Sequence, residues 1–179
     1  MKLIILGRDG VINQAADTVI KSPDDWIPIE GSLEAIAQLT RGGYRIVVVT
    51  NQPGIGEGLF DIQALNAVHE KMYQQATMLG GQIESILFCP HTAQQACDCR
   101  KPEAGLLLDL QNRLNITLTN APMVGDSIDD VQEARKVGAS PVLVRTGKGE
   151  ITAAKATGLE QVPVYKNLAE YTEQLLPGI

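Results

Sequence analysis

The sequence predicts an α/β fold: an open parallel sheet covered by helices on both faces. Short apolar runs alternate with longer segments in which apolar residues recur every three or four positions. One run, Ile46–Val49, is β-branched and continuously apolar, as a strand buried on both faces must be. Glycines stand where several helix-period segments stop. This alternation implies three layers in a Rossmann-like arrangement, with binding sites beyond the carboxyl ends of the strands. The 179 residues are expected to form one domain, 1–179, with no large cap domain.

Leu3–Leu6 reads as a buried strand that runs into Gly7-Arg8-Asp9-Gly10, a turn that aims one carboxylate off the strand end. Leu33, Ile36, Ala37 and Leu39 keep helical spacing behind a candidate cap at Ser32, and Gly42-Gly43 ends that helix. The central strand Ile46–Val49 leads into the polar tip Thr50-Asn51-Gln52. Ile62, Leu65, Val68, Met72 and Leu79 mark a long amphipathic helix closed by Gly80-Gly81. His69 lies on that helix without partner ligands and reads as helix surface or core. A strand at Ile83–Phe88, a helix near Leu106–Leu114 and a short strand at Pro122–Val124 follow. The last of these runs into Gly125-Asp126-Ser127-Ile128-Asp129-Asp130. Val131–Val137 is a helix stopped by Gly138, Pro141–Val144 a strand, and Val162–Tyr165 and Leu168–Leu176 a final strand and helix.

A net charge of −6, with no basic run interleaved with aromatics, argues against a nucleic-acid partner. The N-terminal apolar stretch spans four residues, too short for a signal peptide or a membrane span, so a cytoplasmic protein without a membrane partner is expected; a monomer is expected as well. In that reducing compartment the three cysteines read as metal ligands or core, not disulfides. Cys89-x-His91 and Cys97-x-Cys99 put four ligands within eleven positions. Three thiolates and an imidazole suit tetrahedral Zn²⁺ in a closed, structural site, a better use of every cysteine than buried or solvated thiols.

The strand ends carry hard oxygen ligands at Asp9, Asp126 and Asp130, and donors at Thr50, Asn51 and Gln52. Arg100 and Lys101 stand just before a helix. Carboxylates, a hydroxyl, a lysine and a helix N-terminus are the parts of an Mg²⁺-assisted phosphoryl-transfer site.

In that order the groups resemble the haloacid dehalogenase-like phosphatase superfamily, whose four motifs match Leu6–Gly10, Thr50, Lys101 and Gly125–Asp130. Within it the sequence is most similar to the D-glycero-D-manno-heptose 1,7-bisphosphate phosphatase subgroup. The segments that carry this are Ser22–Trp26, Thr50–Gln52, Gly58–Phe60, Phe88–His91, Cys97–Pro102 and Val144–Gly149. The similarity covers nearly the whole chain, and the phosphatase half of histidinol-phosphate enzymes is a close relative.

The resemblance implies an aspartate at position 7 that attacks phosphorus and helps ligate Mg²⁺. Gly7 stands there instead. It implies that Asp9 is the general acid/base and gives its backbone carbonyl to Mg²⁺, and that Asp126 ligates Mg²⁺. Asp130 would lie nearby, holding Lys101 or a metal-bound water. Thr50, Asn51, Gln52, Arg100 and Lys101 would grip the phosphates of a small phosphorylated sugar. It also implies a zinc-bound loop, 89–99, that delivers Arg100 and Lys101, while the loops 13–30 and 53–60 shape the mouth. Glu57 stands where arginine is expected, and Glu103-Ala104 where a basic residue and proline are expected. The expected activity is Mg²⁺-dependent removal of the C7 phosphate in lipopolysaccharide heptose synthesis, with turnover depressed by Gly7. The alternatives are histidinol-phosphate or another small phosphomonoester, or phosphosugar binding without catalysis.

Overall fold

Alternation along the first strand sets the layers. In the computed structural model, which describes residues 2–178 except Asp17 and Ala156, β1 is Lys2–Leu6. Its Ile4 and Leu6 enter one apolar cluster, and its Leu3 and Ile5 enter another on the opposite face. After β1 come a 3-10 turn (Pro23–Asp25), α1 (Ser32–Arg41), β2 (Tyr44–Asn51), α2 (Pro53–Gly56) and α3 (Ile62–Met78). Next are β3 (Ser85–Cys89), α4 (Gly105–Leu114), β4 (Pro122–Gly125) and α5 (Ile128–Lys136). β5 (Ser140–Val144), α6 (Gly149–Lys155), β6 (Val164–Tyr165) and α7 (Leu168–Leu175) complete the described chain.

The six strands are parallel in the order β3-β2-β1-β4-β5-β6. Helices α1, α3 and α7 supply Ile36, Leu39, Met72 and Leu168 to the first cluster. On the other face, α4 and α5 supply Leu107, Leu110 and Ala134. Both faces of the sheet are therefore covered, as the unbroken apolar run of β2 requires. β1 pairs with β2 on one side and β4 on the other, so the chain order reverses at β1 and a crevice opens beyond its carboxyl end.

Local details depart from the sequence expectation. Ser32 is the first residue of α1, not its cap. The cap is Gly31 at φ 80°, while the Ser32 hydroxyl donates to the Ile12 carbonyl at 2.6 Å. A tertiary bond has taken the oxygen that would have capped the helix. β3 starts at Ser85 and reaches Cys89, whereas Ile83 packs into the first cluster ahead of the strand. Helices α2 and α6 carry no apolar periodicity to read, being four and seven residues long. Among the described residues no helix is long and apolar enough to cross a membrane.

Candidate active site

The ends of β1, β2 and β4 lie side by side, and their loops close around a cavity of about 230 Å³. Gly7, Asp9, Thr50, Asn51, Arg100, Lys101, Asp126, Asp130 and Lys148 all contribute to its wall. Gln52 stands one layer behind. The polar tips that the sequence assigns to separate strand ends thus meet at one place.

Position 7 is still held in the sheet, its N–H donating to the Val124 carbonyl at 2.8 Å. Nothing in the backbone asks for glycine here, because φ lies outside the left-handed region. A Cβ would meet Val11 Cγ2 at 3.1 Å and the Val124 carbonyl oxygen at 3.5 Å. One methyl would have to give by a few tenths of an ångström. Gly10 is different: φ is +79°, and a Cβ would stand 2.0 Å from an Asp126 carboxylate oxygen. There glycine is required, for both conformation and space.

Asp9 is ringed by donors. Arg8 Nε and Nη2 reach its Oδ1 at 3.1 and 2.9 Å, Asn13 Nδ2 reaches the same oxygen at 2.9 Å, and Gln52 Nε2 reaches Oδ2 at 3.0 Å. Burial pushes the carboxyl up, but the Arg8 charge and these hydrogen bonds outweigh it and hold Asp9 below the usual carboxylate range. Arg8 is itself buried, with Nη1 3.1 Å from His69 Nε2. Burial, then the Arg8 charge, lowers His69 to about 4, so the ring is neutral and accepts that bond. Gln52 also donates to the Thr50 hydroxyl at 2.9 Å. Its amide is thus committed to orienting Asp9 and Thr50.

Asp126 and Asp130 shift in opposite directions. Ser127 caps α5, and Asp130 closes a capping box: its Oδ2 accepts from the backbone N–H groups of Asp126 and Ser127 and from the Ser127 hydroxyl. Its Oδ1 accepts from Lys101 Nζ at 2.7 Å, and Nζ also donates to the Val49 carbonyl at 2.8 Å. Burial would raise Asp130, yet the Lys101 charge wins and Asp130 is lowered. Lys101 is raised, burial being overcome by Asp130 and then Glu133. Asp126 lacks such a partner. Burial, then the Asp130 charge, lifts it to about 6, although Lys148 N–H donates to its Oδ2 at 2.8 Å. Asn51 Oδ1 accepts from Lys101 N–H at 3.1 Å, which ties the end of β2 to the lysine loop.

A further carboxylate at position 7 would crowd this acidic wall when no cation is present. Glycine gives back roughly 0.5–1 kcal/mol through chain entropy. In excess chelator at pH 7.5, the unaltered chain is expected to melt no lower than a Gly7→Asp variant. A clear rise in the melting temperature of Gly7→Asp under those conditions would refute this.

The acidic departures face outward. Glu57 is exposed, and Glu103 is exposed and pairs with Lys136 Nζ at 2.8 Å. Arg100 lines the cavity and donates to the His91 carbonyl at 3.3 Å. Arg8 and Lys148 line the cavity, and Asn13, His69 and Glu133 stand behind it, none with a role assigned from the sequence, although Arg8 and Lys148 fall inside segments that carry the resemblance. Arg8 could have been suspected, since a charge beside a buried strand end needs a partner.

Cys89, His91, Cys97 and Cys99 present their ligand atoms within 4.8 Å of one another. Cys89 Sγ lies 3.8 Å from Cys97 Sγ and 3.0 Å from Cys99 Sγ, and His91 Nδ1 lies 3.2 Å from Cys99 Sγ. Burial and the neighbouring thiols push Cys99 up to about 12. A metal would displace those protons, and the cluster could hold one. At the main cavity the donor set is of hard oxygens: the Asp126 carboxylate and the backbone at Asp9. That set fits Mg²⁺.

A family model described as "HAD-hyrolase-like" matches residues 98–171. A D-glycero-beta-D-manno-heptose-1,7-bisphosphate 7-phosphatase of Bordetella bronchiseptica is 47% identical over 98% of this chain and 98% of its own length. One from Neisseria meningitidis is 44% identical over 98% of this chain and 95% of its own. A crystal structure of D,D-heptose 1,7-bisphosphate phosphatase from B. bronchiseptica, complexed with magnesium and phosphate, superposes with a TM-score of 0.97. It is 46% identical, with 100% of both chains covered.

Proposed function

This chain belongs to the heptose 1,7-bisphosphate 7-phosphatase family of haloacid dehalogenase-like hydrolases, and on that premise we propose that its cavity takes the C7 phosphate of D-glycero-D-manno-heptose 1,7-bisphosphate. Removal of that phosphate is the family's reaction, a phosphomonoester hydrolysis in heptose metabolism. What carries the reading is the meeting of Asp9, Thr50, Lys101 and Asp126 at one cavity, in a chain 47% identical to such an enzyme.

The Thr50 hydroxyl, the Asn51 amide, Arg100 and Lys101 bind the phosphate oxygens, with Lys101 held in line by Asp130 and Val49. Gln52 serves from behind, orienting Asp9 and Thr50. The Asp126 carboxylate and the Asp9 carbonyl hold Mg²⁺, with Asp130 beside them. When bound, Mg²⁺ neutralises phosphate charge and polarises the bond to be broken. Asp9 rests ionised and is thus a base that can take a proton from an attacking water. Gly7 offers no atom for direct attack on phosphorus, so the covalent route is closed and turnover is low.

Zn²⁺ is the metal that three thiolates and an imidazole select at Cys89, His91, Cys97 and Cys99. We read 1–179 as one domain acting in the cytoplasm as a monomer. The test is a panel on a Gly7→Asp variant with Mg²⁺: the heptose bisphosphate, histidinol phosphate and a simple aryl phosphate. Preference for the heptose ester supports the reading, and preference for histidinol phosphate overturns it. Calorimetry on the unaltered chain should detect the phosphosugar bound without phosphate release.

A further inference from the structure

Behind Lys101 stands a second carboxylate that the proposed chemistry does not use. Glu133 lies on α5 one turn beyond Asp130 and is fully buried. Neither of its carboxylate oxygens has a hydrogen-bond partner among the described residues. Lys101 Nζ is 3.9 Å from Glu133 Oε2, too far for a hydrogen bond but well within reach of strong Coulombic coupling in a buried setting. The ammonium meanwhile spends two of its three N–H groups on Val49 and Asp130, leaving one for the cavity. A helix position facing the core would be cheaper as alanine or leucine than as a carboxylate without donors.

We propose that Glu133 is a positioning residue that moderates the phosphate grip of Lys101, its charge behind the ammonium offsetting part of the pull on a bound anion so that the anion can leave. This rests on the reading of Lys101 as a phosphate-binding residue. The sign follows from the charges. Lys101 with Asp130 is neutral, and with Glu133 ionised as well the group presents one net negative charge to an incoming dianion. Loss of the Glu133 charge leaves Lys101 protonated, because Asp130 still holds it. The charged groups that act on Glu133 are Lys101, 3.9 Å away, then Asp130, Lys136 and Asp129. Burial pushes Glu133 up to about 7, so the brake is stronger at pH 8 than at pH 6.

Sulfate is the suitable probe, since its own charge does not change between those pH values. Its affinity would be measured by calorimetry on the full chain in saturating Mg²⁺ and Zn²⁺. At pH 8, Glu133→Gln is expected to bind sulfate about three- to tenfold tighter than the unaltered chain, with a smaller gain at pH 6. Glu133→Met, which also removes the charge and fills similar space, should do the same if the amide variant folds poorly. In a Lys101→Met background the gain should vanish. Unchanged or weaker sulfate binding in Glu133→Gln and Glu133→Met at pH 8, or an equal gain without Lys101, would overturn the proposal. If Lys101→Met alone leaves sulfate affinity untouched, the reading of Lys101 itself falls, and this inference with it.

Discussion

Replacing Gly7 with aspartate raises phosphate release from the heptose bisphosphate by about three to five powers of ten, the usual scale for restoring a covalent nucleophile. The fold already accommodates the change. The position-7 backbone is outside the left-handed region, and only the Val11 Cγ2 methyl, 3.1 Å from the added Cβ, has to move. Asp9 cannot stand in for the missing group, because Arg8, Asn13 and Gln52 hold its carboxylate with four hydrogen bonds at 2.9–3.1 Å. The new carboxylate would act in two ways: as the atom that attacks phosphorus and as a second side-chain ligand beside Asp126. A Gly7→Asn variant separates them, since the amide can ligate weakly but does not attack. Steady-state phosphate release in Mg²⁺ for the unaltered chain, Gly7→Asn and Gly7→Asp should give two slow proteins and one fast one. A Gly7→Asp rate within tenfold of the unaltered chain would mean that position 7 is not the defect.

The gap at position 7 is legible in the sequence through the family resemblance, which implies an aspartate at a strand end where Gly7 stands. The continuous β-branched run of β2 announced a doubly covered parallel sheet, and the sheet then fixed where Asp9, Thr50 and Asp126 must meet. The residues that tune the site were not legible in the same way. Arg8, His69 and Glu133 act through contacts between elements far apart in the chain, such as the 3.1 Å approach of Arg8 to a histidine 61 positions away. His69 reads as ordinary helix surface or core until that partner is known. Glu133 sits in a polar-looking stretch of α5, and only packing reveals that it is fully buried. Ser32 shows the converse. Its local signal for a helix cap is genuine, but a buried carbonyl at Ile12 competes for the same hydroxyl and wins.

If Cys89, His91, Cys97 and Cys99 hold zinc as proposed, its loss should be the largest single blow to stability. The segment from Cys89 to Cys99 carries exposed residues at 93–96, and its hydrogen bonds beyond the ligand cluster are few: Gln52 N–H to the Cys89 carbonyl, Gly56 N–H to the Pro90 carbonyl, Arg100 to the His91 carbonyl, Gly105 N–H to the Asp98 carbonyl, and Thr92 and Gln95 to each other. Lys101 follows Cys99 by two residues, so whatever holds the cluster also holds the lysine proposed to grip phosphate. Stripped of metal, Cys99, pushed up by burial and its neighbouring thiols, takes up a proton, and the cross-link between β3 and the lysine loop is gone. A Cys99→Ser variant, or the unaltered chain treated with a strong zinc chelator, is expected to lose about 3–5 kcal/mol, or roughly 10 °C in melting temperature for a domain of this size. Metal analysis should find one zinc per unaltered chain and none in the variant. Sulfate affinity should fall together with the melting temperature, because Arg100 and Lys101 are no longer delivered to the cavity. Equal melting temperatures and equal sulfate affinities with and without zinc would show that the loop holds its shape by packing alone, and the structural role of the four ligands would have to be given up.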